Sequence, residues 1–421
     1  MTTPFSQLEE AVSLIDFVRR VGRAPPTFQR TLSPYLFLEE PAPSRVSDGE
    51  PLVRSLEPRD ELVEVALDGT CRKVGCPYAS QFIATAAVCT RSLHPIADYP
   101  KGPWKYPIEV LEEHSWIGLL PRLEADLEAG NAVRVFARGY DEKQAYTELR
   151  TELETWMLEG VMPEAADLIE DLGGSPLIVL DGCVYFVPRS HFFDKSFYEY
   201  SELHMQYSNF YAMDIRRRLN AVDYFLSRGI PVVGVVKQTH HSNLLVKNNH
   251  VTDYARALGL RPELFAGDEA FALELFKLSL SSGLALPSIC VATAPMEINY
   301  AEVGLIRGAE FRWLRNLLER RPKVYIYVGV LGHPLSDNPI QVYRLETTRD
   351  VYRRFGEELW MEVLGDASMV GLMLPGSLTH SHRRCIDWAG SLQSYAEMLF
   401  SSRSLPIERD IDLLMGLMGV G

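Results

Sequence analysis

Two aspartates, Asp68 and Asp181, each close an apolar run and each precede a glycine: Val63-Glu64-Val65-Ala66-Leu67-Asp68-Gly69 and Pro176-Leu177-Ile178-Val179-Leu180-Asp181-Gly182. A β-branched run ended by glycine reads as a buried strand followed by a turn. A carboxylate at the tip of such a strand is costly unless it is hydrogen-bonded, paired or bound to a cation. Two of them on neighbouring strands of one sheet would make a divalent-metal site suited to phosphoryl transfer.

Such a site needs more ligands, and the stretch before Asp181 is rich in acids. Glu164, Asp167, Glu170 and Asp171 follow Pro163, and Glu148, Glu152, Glu154 and Glu159 precede it. Most must be solvated surface charges. Glu164 sits at a predicted helix start, where a carboxylate also gains from the helix dipole, so it reads as a ligand or as a helix-start acid. Glu154 is the other candidate ligand.

His380 and His382 lie in Pro375-Gly376-Ser377-Leu378-Thr379-His380-Ser381-His382-Arg383-Arg384. An imidazole beside metal-bound carboxylates can deprotonate water or protonate a leaving oxygen. The bland alternative is a surface histidine. Arg383 and Arg384 add phosphate-pairing capacity. Lys237 ends the apolar run 230–236, where it would touch a phosphate or simply be the solvated end of a strand. His240 and His241 follow it, with no matching carboxylate spacing, and read as polar loop.

The elements that must position these groups follow from periodicity. Apolar residues at helical spacing predict an amphipathic helix from about Phe5 to Val21. A Pro-rich arm spans 24–58, the kind of segment that often wraps a neighbour. The Val63–Leu67 strand and a second over 81–88 predict a hairpin, with another strand at Val133–Ala137. A helical region from Glu142 to about Leu172 is expected to break near Gly160–Pro163. The Asp181 strand, a helix near Met213–Ser227 and a strong strand over 230–237 come next. Later strands are expected at Ser288–Thr293, Val324–Val330 and Gln341–Leu345, and a last helix from Ser381 to about Ser401. A hairpin followed by strands alternating with helices predicts an α/β fold on a mixed sheet.

The chain's 421 residues are 47% hydrophobic and 23% charged, enough for a large core. The net charge of -14 removes bulk attraction for nucleic acid, so a polyanion must be held locally or delivered by a partner. Arg216-Arg217-Arg218 and the Arg312–Lys323 region with Phe311 and Trp313 interleave cations and aromatics. That suits single-stranded nucleic acid, and equally an amphipathic helix. The six cysteines form no CxxC pair and are expected to be reduced and mostly buried. Without a leader pattern or an apolar membrane-length stretch, a cytoplasmic protein with no membrane contact is expected. Walker A, GxGxxG and GxSxG motifs are missing, against an NTPase, a dinucleotide enzyme or an α/β-hydrolase.

The order of these motifs resembles the NurA family, nucleases that work with the HerA hexameric DNA translocase in end resection and some antiphage systems. The resemblance runs from about residue 60 to 400: Leu67-Asp68-Gly69, a Glu-bearing helix, Ile178-Val179-Leu180-Asp181-Gly182, Gly229–Lys237, and Pro375-x-x-Leu378-x-x-Ser381-His382. It implies an RNase H-like nuclease core over residues 59–405, preceded by the N-terminal helix and arm (1–58) and followed by a short tail (406–421). It also implies a homodimer, manganese or magnesium, and DNA cleavage as a 5'-3' exonuclease, a single-strand endonuclease or both. By motif, Asp68, Asp181 and Glu164 match the metal-binding acids and His382 the late histidine, with Lys237 and Arg383 on the substrate phosphates. Thr70, Cys183 and Ser381 depart from the small residue, the Ser and the Ala usual at their places. A family tyrosine has Tyr325, Tyr327 and Tyr343 as candidates. The alternatives are an inactive structural subunit of a HerA-type complex and an RNase H-like phosphotransferase or RNA nuclease.

Overall fold

The structure is a computed structural model that describes residues 3–22, 43–46, 52–91, 108–127, 133–186, 202–237, 239, 242–283, 290–301, 311–331, 340–365, 367 and 374–408. His240 and His241 lie outside the described residues, as does most of the Pro-rich arm.

The first half comprises helix α1 (Pro4–Val21), strands β1 (Ser44–Arg45), β2 (Val53–Leu56), β3 (Val63–Cys76), β4 (Ala79–Arg91), β5 (Ile108–Pro121) and β6 (Val133–Val135), and helix α2 (Glu142–Asp171). Strand β7 (Pro176–Asp181), helix α3 (Glu202–Arg228) and strand β8 (Val232–Val236) follow. Then come helices α4 (Asn249–Ala257) and α5 (Asp268–Ser281), strands β9 (Cys290–Thr293) and β10 (Met296–Ile298), and helix α6 (Arg312–Arg320). Strands β11 (Lys323–Leu331) and β12 (Ile340–Thr348) and helices α7 (Arg349–Phe355), α8 (Glu358–Val363) and α9 (Gly376–Ser402) complete the described chain.

Among the described residues, twelve strands form one mixed sheet in the order β1-β10-β11-β12-β8-β7-β3-β4-β5-β6, with β9 bridging β11 and β2. Its centre is an antiparallel meander, β3-β4-β5, with β7 added parallel to β3 and β8 parallel to β7. Helix α2 leads into β7, and α3 connects β7 to β8. That order and direction are the RNase H-like arrangement, so the expected α/β mixed-sheet core is present, with α1 as its N-terminal helix. Beyond β8 the sheet continues antiparallel through β12 and β11. The described pieces of the arm, β1 and β2, pair with β10 and β9 at that far end.

Strand alternation sorts the two faces of the meander. Phe82 and Gly118 face α2: a Cβ on Gly118 would meet Leu149 and Phe136. Ile83, Ile117 and Leu119 face the other way, into a core with Leu8, Ile15, Leu392 and Phe400 of α1 and α9. The same alternation puts Asp68 on the α9 face and Gly69 on the α2 face.

Two expectations are corrected. Helix α2 does not break at Gly160–Pro163 but runs unbroken past Pro163. Met162, Ala165, Ala166 and Ile169 keep the helix packed on the core, and that burial offsets the interior proline's cost of about 3 kcal/mol. Strand β3 does not turn at Asp68-Gly69 but continues to a hairpin at 77–78. Asp68 is therefore mid-strand, and only Asp181 stands at a strand tip. Among the described residues, no helix is long and apolar enough to cross a membrane.

Candidate metal centre

Register brings the two aspartates together. In the parallel β3–β7 pair Leu67 faces Leu180, so Asp68 and Asp181 are the next residues along. Carboxylate and imidazole atoms of Asp68, Asp181 and His382 all lie within 4.8 Å of one another. Asp68 is only 1% exposed. Its Oδ1 accepts the Gly69 N–H at 2.7 Å and its Oδ2 meets His382 Nδ1 at 2.6 Å. Lys237 Nζ lies 3.1 Å from Asp181 Oδ1.

Helix α9 is fastened along β3 at helical spacing. Ser377 bonds Glu64, the Ser381 hydroxyl donates to the Ala66 carbonyl at 3.1 Å, and the Cys385 thiol donates to the Asp68 carbonyl at 3.1 Å. His382, whose side chain is 48% exposed, stands at the rim of that contact. Serine at 381, the departure from the expected alanine, thus supplies a helix-to-strand hydrogen bond.

The turn after Asp181 needs its glycines. Gly182 has φ +87°, a left-handed conformation that favours glycine. At Gly234 on β8 a Cβ would lie 2.6 Å from the Gly182 carbonyl oxygen, so only glycine lets the turn cross that strand.

The α2 acid that packs on these strands is Glu154, which lies against Gly69 on the sheet face opposite Asp68 and is not one of the three clustered groups. Glu164 is exposed and is not brought to the cluster. It sits about 15 Å further along the helix at 1.5 Å per residue, on the outward side. Glu154 is buried and lines a small cavity with Leu67, Leu158, Leu180, Asp181 and Arg218. A Cβ on Gly69 would come within 2.7 Å of Glu154 Oε1, so the first Asp-Gly glycine makes room for this carboxylate. Arg218 Nη2 donates to Glu154 Oε2 at 2.9 Å, and Arg150 Nε lies 3.5 Å from Oε1.

Burial dominates the electrostatics of the Asp68 carboxyl. Burial, only partly opposed by the His382 hydrogen bond, pushes the Asp68 carboxyl up to about 7, and the Asp181 charge adds to the rise. The hydrogen bond to Asp68 raises the His382 imidazole above its ordinary value, against burial. A hard divalent cation suits this donor set of carboxylate oxygens and an imidazole.

Sequence reasoning missed Arg150, and it read Arg218 only as part of a basic run. The Arg216–Arg218 triplet is divided by the helix: Arg216 lies over the Trp313 ring at 6.0 Å, Arg217 pairs with Glu159 at 2.5 Å, and Arg218 is buried behind the site. Alternation of the α3 faces was the available signal. The three candidate tyrosines are buried in β11 and β12, where Tyr327 bonds Asp268 and the Tyr325 and Tyr343 hydroxyls have no hydrogen-bond partner among the described residues. Arg383 is exposed on α9 beside His382. All six cysteines are free and five are buried, as expected; Cys183, beside the site, is partly buried.

Comparison with known proteins agrees with the motif order. The NurA domain family model matches residues 56–384. No curated protein matches at a significant level. Among solved structures, the NurA nuclease from Sulfolobus solfataricus is 13% identical, with 83% of this chain and 87% of that chain covered, at a TM-score of 0.46. NurA with manganese is 10% identical, with 79% and 88% covered, at 0.36. NurA bound to dAMP and manganese is 11% identical, with 77% and 84% covered, at 0.35. The family match spans most of the chain, and the chain belongs to the NurA domain family.

Proposed function

We propose that the chain is a divalent-metal-dependent DNA nuclease, with manganese or magnesium at the Asp68–Asp181 pair. The observation that carries this is the convergence of Asp68, Asp181 and His382 where parallel strands meet. The NurA structures with manganese and with dAMP support the choice of ion and substrate.

Asp68 and Asp181 are the proposed ligands, with Glu154 rather than Glu164 as the carboxylate from α2. An ion held there would neutralise charge on the scissile phosphate and acidify the attacking water. His382 is oriented through Nδ1 by Asp68, which leaves Nε2 to take or give a proton. Lys237, paired with Asp181, and Arg383, exposed on α9, are the groups we propose to hold phosphate oxygens. We further propose that the nuclease acts on DNA ends delivered by a HerA-type hexameric translocase, as a homodimer.

End-labelled linear DNA incubated with manganese tests the reading, with and without a HerA-type partner. Shortening that vanishes in Asp68→Asn/Asp181→Asn establishes activity and site together. A folded chain that shortens nothing, even with partner present, would instead be a structural subunit.

A further inference from the structure

The loop that leaves Asp181 is tied to the part of the sheet beyond the RNase H-like core. After Gly182 it crosses β8 at Gly234 and reaches Glu346 on β12, the residue paired with Gly234 in the strand register. Glu346 Oε1 accepts the Val184 N–H at 3.0 Å. The same oxygen accepts from Lys323 Nζ of β11 at 2.7 Å, and Lys323 Nζ also donates to the Tyr185 carbonyl at 2.5 Å. Both side chains are 2% exposed.

The ammonium sits 4.4 Å from the Tyr185 ring centre and 5.5 Å from that of Tyr300. Arg344 Nη2 adds an ion pair to Glu346 Oε2 at 3.1 Å. Burial raises the Glu346 carboxyl, but Lys323 and Arg344 outweigh it and hold the acid below its ordinary value. A buried ion pair gives little net stability compared with apolar residues of the same volume. This one spends its hydrogen bonds on the backbone of the two residues that follow Cys183.

We infer that Glu346 and Lys323 are positioning residues: they clamp the 182–185 loop to β11 and β12 and so fix where the Asp181 carboxylate stands. The link to metal binding rests on the functional reading above; the clamp itself does not.

The test compares wild type, Lys323→Met/Glu346→Gln, Glu346→Gln and Val330→Ala in the full chain. The double variant removes the Lys323 and Glu346 charges together; Arg344, the second cation on Glu346, loses its carboxylate but keeps the Ser242 hydroxyl as a partner at 3.2 Å. Val330 is a fully buried β11 residue remote from the loop, and its truncation gives a destabilised control. Amide exchange of the segment 178–186 is read without metal, and manganese affinity by calorimetry. Exchange at 182–185 is expected to quicken at least tenfold in both clamp variants. Manganese binding should weaken about 10–100-fold, the usual effect of losing a group that orients a ligand. Val330→Ala should lower Tm and move neither reading. Unchanged loop exchange overturns the clamp. Faster exchange with unchanged manganese affinity overturns its role in setting Asp181. A wild-type chain that binds no manganese fails the functional reading instead, and loop exchange alone then decides the clamp.

Discussion

Asp68 is a buried carboxyl held near its own titration point, and this has a definite sign. Its folded value, about 7, lies above the ordinary 3.8, so the folded state binds the proton more tightly. The stability it contributes is present at acid pH and is lost as pH rises from about 4 through 7. His382 is shifted the same way, so its contribution is also lost as pH rises through its folded value. The metal-free protein should therefore show a Tm that falls as pH rises from about 4 through 7. Manganese should restore it, and Asp68→Asn should flatten the slope. A metal-free Tm that climbs over that range would contradict the burial argument. Metal competes with the Asp68 proton, so manganese affinity should weaken by up to tenfold per unit below pH 7. The choice between two acids is equally sharp: Glu154→Gln should lower cleavage by about 10–100-fold, and Glu164→Gln should leave it within about twofold. Equal activities would return the α2 ligand to open question. The sequence carried Asp68, Asp181 and His382 because each sits in a short local pattern. It did not carry the choice of glutamate, since several acids on one long helix differ only in which way they face.

At the scale of elements, the long helix is where local rules and packing disagree. Gly160 and Pro163 both argue for a break, yet α2 holds because its inner face stays buried on either side of them. Gly160 has open space where a Cβ would be, and no left-handed backbone to protect. Gly160→Ala should therefore stabilise the fold by about 0.5–1 kcal/mol, visible as a higher urea midpoint at unchanged m. Gly69→Ala is the opposite case. Its new Cβ would press on Cγ as well as Oε1 of Glu154, at 2.8 and 2.7 Å. A cost of about 1–3 kcal/mol is expected, with manganese affinity falling alongside. The hairpin and the Asp181 and 230–237 strands were legible from β-branched runs bounded by turn residues. Strand β5 was not: its first half, Ile108–Glu113, is acidic and half-exposed, and shows no alternation a buried strand would need. Helix α9 begins before Ser381 because Gly376, Ser377 and Leu378 are buried against β3, a tertiary contact that composition does not announce.

On the whole molecule, charge decides how substrate arrives. A net charge of -14 opposes a polyanion, and many of the described cations are already committed to carboxylates, Arg384 to Glu113 and Arg134 to Glu148 and Glu152 among them. The exposed residues proposed to meet phosphates are few: Arg383, with Lys237 only partly accessible. Two such contacts on single-stranded DNA give a salt slope of log K against log[salt] near about -1.4. The chain alone should therefore bind DNA weakly, at about 10⁻⁴–10⁻⁶ M, and with little salt dependence. If a translocase holds the DNA end beside the site, linkage raises effective affinity by about 10²–10⁴ with no new contact on this chain. Degradation at nanomolar DNA should then rise by a similar factor when a HerA-type partner is added, and the steeper salt dependence should belong to the complex. Fluorescence anisotropy over 50–200 mM salt, with and without partner, reads both quantities. Tight, steeply salt-dependent binding by the chain alone would mean a basic channel of its own, and delivery by a partner would lose its physical motive.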